Sequence, residues 1–287
     1  MTPLLRALTV GDEIAEKTPR TWEWAPPLRI GLGRRRVNAY RFMGVIGYVA
    51  AVVVGGALAA IEHRSIAVLG ILAAIDALLF LLVAVLTQRL MNEEYIVYFH
   101  HEIAIIVTSI GILRVMRAPL LPYLDVTTIG ILVFLGFGRV GCLRVGCCYG
   151  KPVSFGVRYD ASHVEAGFPA ELQDVTLLPV QALESAIAFS VAAVGGLLVL
   201  HARPGIAMAW CVTAYGAARF FILEPLRGDP RPNWRGVSHA QWLAAGRAAA
   251  ILIGMGTHTL PWSRPVGALA CAPAAVALAR ASGGGAR

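Results

Sequence analysis

The feature that most limits how this chain can fold is a succession of apolar stretches close to the ~20 residues needed to span hydrocarbon. They run over Phe42–Ile61, Ile66–Leu86, Tyr95–Leu113, Leu120–Phe137, Pro179–Leu200, Ile206–Leu223 and, most weakly, Ala240–Leu260. Composition points the same way. Charged residues make up 15% and hydrophobic ones 57%, where soluble domains carry about 25% charged. These stretches predict an all-α integral membrane protein with about seven transmembrane helices.

The formal net charge is +8, nearly all of it from arginine. No nucleic-acid-binding motif accompanies it, so the basic balance points to anionic lipid as partner. The five cysteines are too few and too scattered for a secreted disulfide scaffold. The N-terminus holds no apolar core long enough for a cleavable signal.

Residues 1–41 read as a polar segment in which Trp22, Trp24 and flanking arginines suit a membrane interface. Residues 42–260 read as one membrane domain. A polar head, Gly138–Leu178, lies between the fourth and fifth spans; a loop that long in a compact bundle is usually functional. Residues 261–287, Ala- and Gly-rich, read as a disordered tail. Counting Lys and Arg places the N-terminus and the head on the cytoplasmic side, provided the arginines act only as topological signals.

The fourth span runs into GRVGCLRVGCCYG, Gly138–Gly150. Its glycines permit close backbone approach, and Arg139 and Arg144 add bidentate donors for a phosphate. Cys142, Cys147 and Cys148 lack the C-x2-C spacing of a zinc ribbon. Adjacent cysteines do not easily share one ion, so no metal is expected. Packing and a disulfide from Cys142 to Cys147 or Cys148 stay open. In YFHHEIAI, His100, His101 and Glu102 lie about 100° apart on a helix, so at most two face inward. A histidine there suits a base or a donor. In YGAARFFILEPLRGDPRP, Tyr215 and Arg219 share a helix face, and Glu224 and Arg227 follow at the membrane boundary. Arg219 needs a counter-ion, a carbonyl cage or an anionic ligand. Arg139 and Arg219, on different spans, are placed to bracket one phosphate.

Taken together, these segments resemble the prolipoprotein diacylglyceryl transferases. GRVGCLRVGCCYG is similar to the family's G-R-x-G-N-F-x-N-G-E-x-x-G. VNAYRFMG, YFHHE, LPVQALESAI, YGAARFFILE and VSHAQWLAAG follow in the family's order, from about Tyr40 to Gly256. The resemblance implies a seven-span inner-membrane enzyme whose active face lies outside the cytoplasm, against the Lys and Arg count. It implies transfer of the diacylglyceryl group of phosphatidylglycerol to the lipobox cysteine of a prolipoprotein signal peptide, with release of glycerol 1-phosphate and no cofactor. Arg139, Arg219, His100 and Tyr40 are the implied catalytic residues. Arg144, Tyr149, Gly150, Tyr215, Glu224, Arg227, Cys142 and Gln181 are the implied substrate contacts; Pro179 and Glu184 also match the family pattern.

The chain departs from that pattern at several points. Cys142 and Cys147 replace an asparagine and a glutamate, Leu178 replaces a histidine, and His101 and Glu102 replace two glycines. The Arg219-to-Glu224 spacing is one residue longer. Two other classes compete with the transferase: a lipid-binding or transport protein that keeps the anion pocket, and a thiol redox or metal membrane protein.

Overall fold

The computed structural model describes residues 23–24, 26–32, 35–91 and 98–283. Trp22 and most of the expected interfacial segment lie outside the described residues. The chain is mostly helical. Its long helices are α1 (Ala39–Ile61), α2 (Ile66–Met91), α3 (Tyr98–Val115) and α4 (Leu120–Val145). After a short α5 (Ala161–Glu165) come α6 (Val180–His201), α7 (Ile206–Ala218), α8 (His239–Gly256) and α9 (Arg264–Gly283). Among the described residues, five helices are long and apolar enough to cross a membrane: 39–61, 66–86, 120–145, 180–201 and 206–226. α3 and α8 form where the third and seventh spans are expected, but are not among the five.

α4 is the central helix, packed against α1, α3, α6 and α7. Two-thirds of its spanning window is buried, against 17% for α1. Small residues allow this. A Cβ at Gly136 would meet the Phe189 ring of α6 at 2.5 Å, and one at Gly47 would meet Phe137 at 2.9 Å. Asp125, buried in α4, accepts backbone N–H bonds from Gly205 and Met208 at 2.6 Å each and so caps the start of α7. Asp76, inside the second span, accepts from Ser109 of α3 at 3.5 Å.

Two sequence expectations change here. The head begins at Gly146, because α4 continues through Arg139 and Arg144 to Val145 and ends at Gly146 in the left-handed conformation (φ 83°). The residues from Arg264 to Gly283 are helical, in place of the expected disordered tail. Alanine favours helix, and α9 has α7 and α8 to pack on.

The head has a small core of Leu143, Val157, Tyr159, Phe168 and Leu177. β1 (Glu23–Trp24) pairs in parallel with the head strand Pro152–Val157. Asp160 caps α5; hydrogen bonds from Ser162 and His163 hold its carboxyl down at about 2. The folded value is the lower one, so this contribution is present above the ordinary carboxylate range and is lost as pH falls through about 2. His163 also lies 3.1 Å from the carbonyls of Arg144 and Pro26, tying head to helix end.

Candidate active site

Four segments of the chain bring their charges to one buried point. Glu184, in the second turn of α6, has no exposed surface. Its Oε1 accepts from the Tyr215 hydroxyl at 2.6 Å and from Arg219 Nη1 at 3.0 Å. Its Oε2 accepts from Arg227 Nη2 at 3.2 Å and lies 3.1 Å from Arg139 Nε. An outer ring follows: Arg219 Nη2 is 3.3 Å from Glu224, and Arg231 bridges Glu224 and Asp229 at 3.4 and 2.9 Å.

Each guanidinium carries five N–H donors, so three offer roughly fifteen against the roughly four acceptor sites of one carboxylate. Backbone and outer carboxylates take some of the surplus. Even so, the Nε atoms of Arg139 and Arg227 are buried without an aligned acceptor. With the outer ring counted, Arg139, Arg219, Arg227 and Arg231 face Glu184, Glu224 and Asp229, a net excess of one positive charge. Such an arrangement can take up an anion with charge-assisted hydrogen bonds.

Arg219 and Glu224 meet despite the long spacing between them. Arg219–Leu223 is a π-helical turn, and the Glu224 N–H donates to the Arg219 carbonyl, five residues back. The extra residue is absorbed as a bulge, a feature frequent at functional sites. Deleting the half-exposed Ile222 is therefore expected to turn the bulge into ordinary helix and keep the Arg219–Glu224 pair at i, i+4. Inserting an alanine at that position is expected to break the pair. Thermal melting of the two variants in detergent would separate them, with the insertion melting lower.

Arg227 reaches the cluster through the head. Its Nη1 donates to the Cys148 carbonyl at 2.8 Å, and its backbone bridges Gly150. Gly150 is needed for that approach: a Cβ there would lie 2.4 Å from the Leu178 carbonyl oxygen. Gly150→Ala is expected to cost about 1–3 kcal/mol of stability, read as a lowered melting temperature.

The expected site residues divide into two groups. Arg139, Arg219, Arg227, Tyr215 and Glu224 converge, and Cys142 joins them, its Sγ 3.8 Å from Arg139 Nη1. Tyr40 packs on the same stretch of α4; a Cβ at Gly141 would meet its ring at 3.1 Å. The others lie apart from the Arg139–Arg219–Arg227 triad around Glu184. His100 is exposed, with its ring 5.2 Å from that of His239. His101 and Glu102 turn inward: His101 lies on Phe80, and Glu102 pairs with Arg247 of α8, which stacks on Phe99 at 4.0 Å. Arg144, five residues beyond Arg139, falls on another face of α4. Gln181 donates to the Cys147 carbonyl at 2.9 Å and holds the turn. Tyr149 packs edge-on against Phe168 in the head.

The three cysteines of the turn also converge. Their sulfurs all lie within 4.8 Å of one another, although Cys147 and Cys148 are adjacent, and no disulfide joins them. Adjacency fails as an argument because Gly146 and Cys148 (φ 58°) both turn left-handed and fold the chain back on itself. Hydrogen bonds from Cys142 and Cys147, helped by the Arg139 and Arg227 charges, hold the Cys148 thiol well below its ordinary range.

With five membrane-length helices among the described residues, folded around three arginines that share one buried carboxylate, the chain is a multi-pass membrane protein. The prolipoprotein diacylglyceryl transferase family model matches residues 27–257, and the chain belongs to that family. Over 130 residues it is 34% identical to a phosphatidylglycerol–prolipoprotein diacylglyceryl transferase of Clostridium tetani, covering 43% of this chain and 48% of that protein. Over 128 residues it is 34% identical to phosphatidylglycerol–prolipoprotein diacylglyceryl transferase 2 of Clostridium perfringens, covering 42% and 45%. The chain thus spans about half the length of the curated relatives it matches.

Proposed function

We propose that the chain moves the diacylglyceryl group of phosphatidylglycerol onto the lipobox cysteine thiol of a prolipoprotein. It does so as a seven-span protein of the bacterial inner membrane, with α3 and α8 as the third and seventh spans and the active face outside the cytoplasm. In this reaction the thiol sulfur attacks the glyceryl carbon that bears the phosphate ester. A C–S bond forms, the C–O bond breaks, glycerol 1-phosphate leaves, and the thiol proton is lost.

The observation that carries this reading is the convergence of Arg139, Arg219 and Arg227 on the buried Glu184, with a net positive charge left over once Glu224, Asp229 and Arg231 are counted. The phosphodiester of phosphatidylglycerol carries one negative charge; the departing phosphate monoester approaches two. Arg139, Arg219 and Arg227 therefore hold the leaving group more tightly as the C–O bond breaks. Binding that strengthens toward the transition state is what accelerates a reaction. Glu184 acts as a positioning residue that keeps three like charges together while the site is empty of lipid. Tyr215 fixes Glu184, and Tyr40 lines the same end of α4. Gly150 and Arg227 couple the head to the arginine cluster. His100, outside the triad's contacts, is not needed for leaving-group stabilisation; the arginine field itself favours the thiolate at the attack point.

The test is reconstitution of the purified chain in phosphatidylglycerol vesicles with a lipobox peptide. The expected result is a peptide mass increase of one diacylglyceryl group, absent for Arg139→Ala. Phospholipid binding without a thioether product, from well-folded wild type, would instead identify a lipid-binding protein that has lost the chemistry.

A further inference from the structure

The proposed reaction assigns no chemical step to the cysteine cluster, yet the backbone is shaped to assemble it. Adjacent residues in regular structure send their side chains apart. Here two left-handed residues in succession around Cys147, one of them not glycine, bring Cys147 and Cys148 onto the same side as Cys142. A non-glycine residue in that conformation is uncommon. The turn is also held from outside. Gln181 holds the Cys147 carbonyl, and Arg227 holds the Cys148 carbonyl.

We propose that Cys142, Cys147 and Cys148 form a three-thiolate binding site for monovalent copper at the head end of α4. Metal–sulfur bonds of about 2.3 Å in a trigonal array set the sulfurs about 4 Å apart. Sulfurs already within 4.8 Å reach that spacing by side-chain adjustment alone. Thiolate ligands select soft cations. Among the described residues no histidine or carboxylate joins the group as a fourth ligand, which suits three-coordinate copper better than tetrahedral zinc.

Three thiols bind one Cu(I) with loss of three protons, and the product carries two negative charges. Arg139, 3.8 Å from Cys142 Sγ, and Arg227, bonded to the Cys148 carbonyl, lie beside it. Copper would thereby fix the turn that positions Arg227. The site rests on the cysteine geometry and stands whether or not the chain transfers lipid.

The experiment is anaerobic titration of the reduced, detergent-purified full chain with Cu(I) against a chromogenic Cu(I) chelator. One copper per chain is expected. Cys142→Ser, Cys147→Ser and Cys148→Ser should each lose it, and Cys271→Ser should keep it. Because a serine variant can fail to fold, a second measurement uses wild type alone: Cu(I) should protect Cys147 and Cys148 from maleimide, read by peptide mapping. The proposal is overturned by wild type that yields all its copper to the chelator, by copper binding unchanged in Cys148→Ser, by no protection of either thiol, or by zinc(II) retained where copper is not.

Discussion

Glu184→Ala is expected to be the most damaging single substitution in the membrane domain. Glu184 is fully buried and takes two arginines on one oxygen and an arginine plus a tyrosine hydroxyl on the other. Removing one partner of a buried ion pair costs about 3–5 kcal/mol, because the remaining charge is left uncompensated. Here three guanidiniums lose their shared partner at once, while Glu224 and Asp229 still neutralise Arg219 and Arg231 from outside. The variant is expected to melt far below wild type in detergent and to accumulate poorly in membranes. Glu184→Gln keeps an acceptor oxygen for Tyr215 and Arg219 but loses the charge, so it should fall between the two. A diagnostic outcome separates positioning from packing. Phosphate or glycerol phosphate should raise the melting temperature of Glu184→Ala more than that of wild type, since an anion replaces the missing carboxylate. A wild-type melting temperature for Glu184→Ala would show that the arginines do not depend on it.

Sequence alone carries the helices well and the centre of the site poorly, for identifiable reasons. Long apolar stretches report spans directly, so α1, α2, α4, α6 and α7 begin within a few residues of where hydropathy places them, although α4 continues past Phe137 to Val145. α9 is missed because an Ala- and Gly-rich stretch has little amphipathic pattern to read, although alanine supports helix when neighbours are available. Arg139, Arg219 and Arg227 stand out because charges in or beside apolar spans are costly. Glu184 is equally isolated in its span, yet its sequence context marks it only as a match to the family pattern and not as the counter-ion of Arg219. The signal was present in the need of Arg219 for a partner. The bulge at Arg219–Leu223 has no signature in a single sequence; only the extra residue hints at it. The cysteine cluster is hidden for a similar reason. Spacing rules assume ordinary backbone, and Gly146 and Cys148 do not adopt it.

Arg139→Ala and Arg219→Ala are expected to lower diacylglyceryl transfer by about 10²–10³-fold, the size of effect seen when one preorganised donor to a developing oxyanion is removed. The lysine variants test the mechanism more sharply. Lysine keeps the charge but presents a point donor in place of a planar fork. If the arginines only neutralise Glu184, Arg139→Lys should transfer lipid nearly as well as wild type. If they hold the phosphate oxygens, the fork geometry matters and Arg139→Lys should stay closer to Arg139→Ala. Arg139 is the better probe of the two, because its Nε lies beside Glu184 without being aligned on it, which leaves that donor for a ligand. Arg219, bound to both Glu184 and Glu224, should lose stability as well as rate when replaced. Arg144→Ala supplies the contrast. It removes a charge from the same helix end but from a face away from Glu184, so transfer should fall far less. An Arg144→Ala defect as deep as that of Arg139→Ala would move the phosphate out of the triad and toward the head.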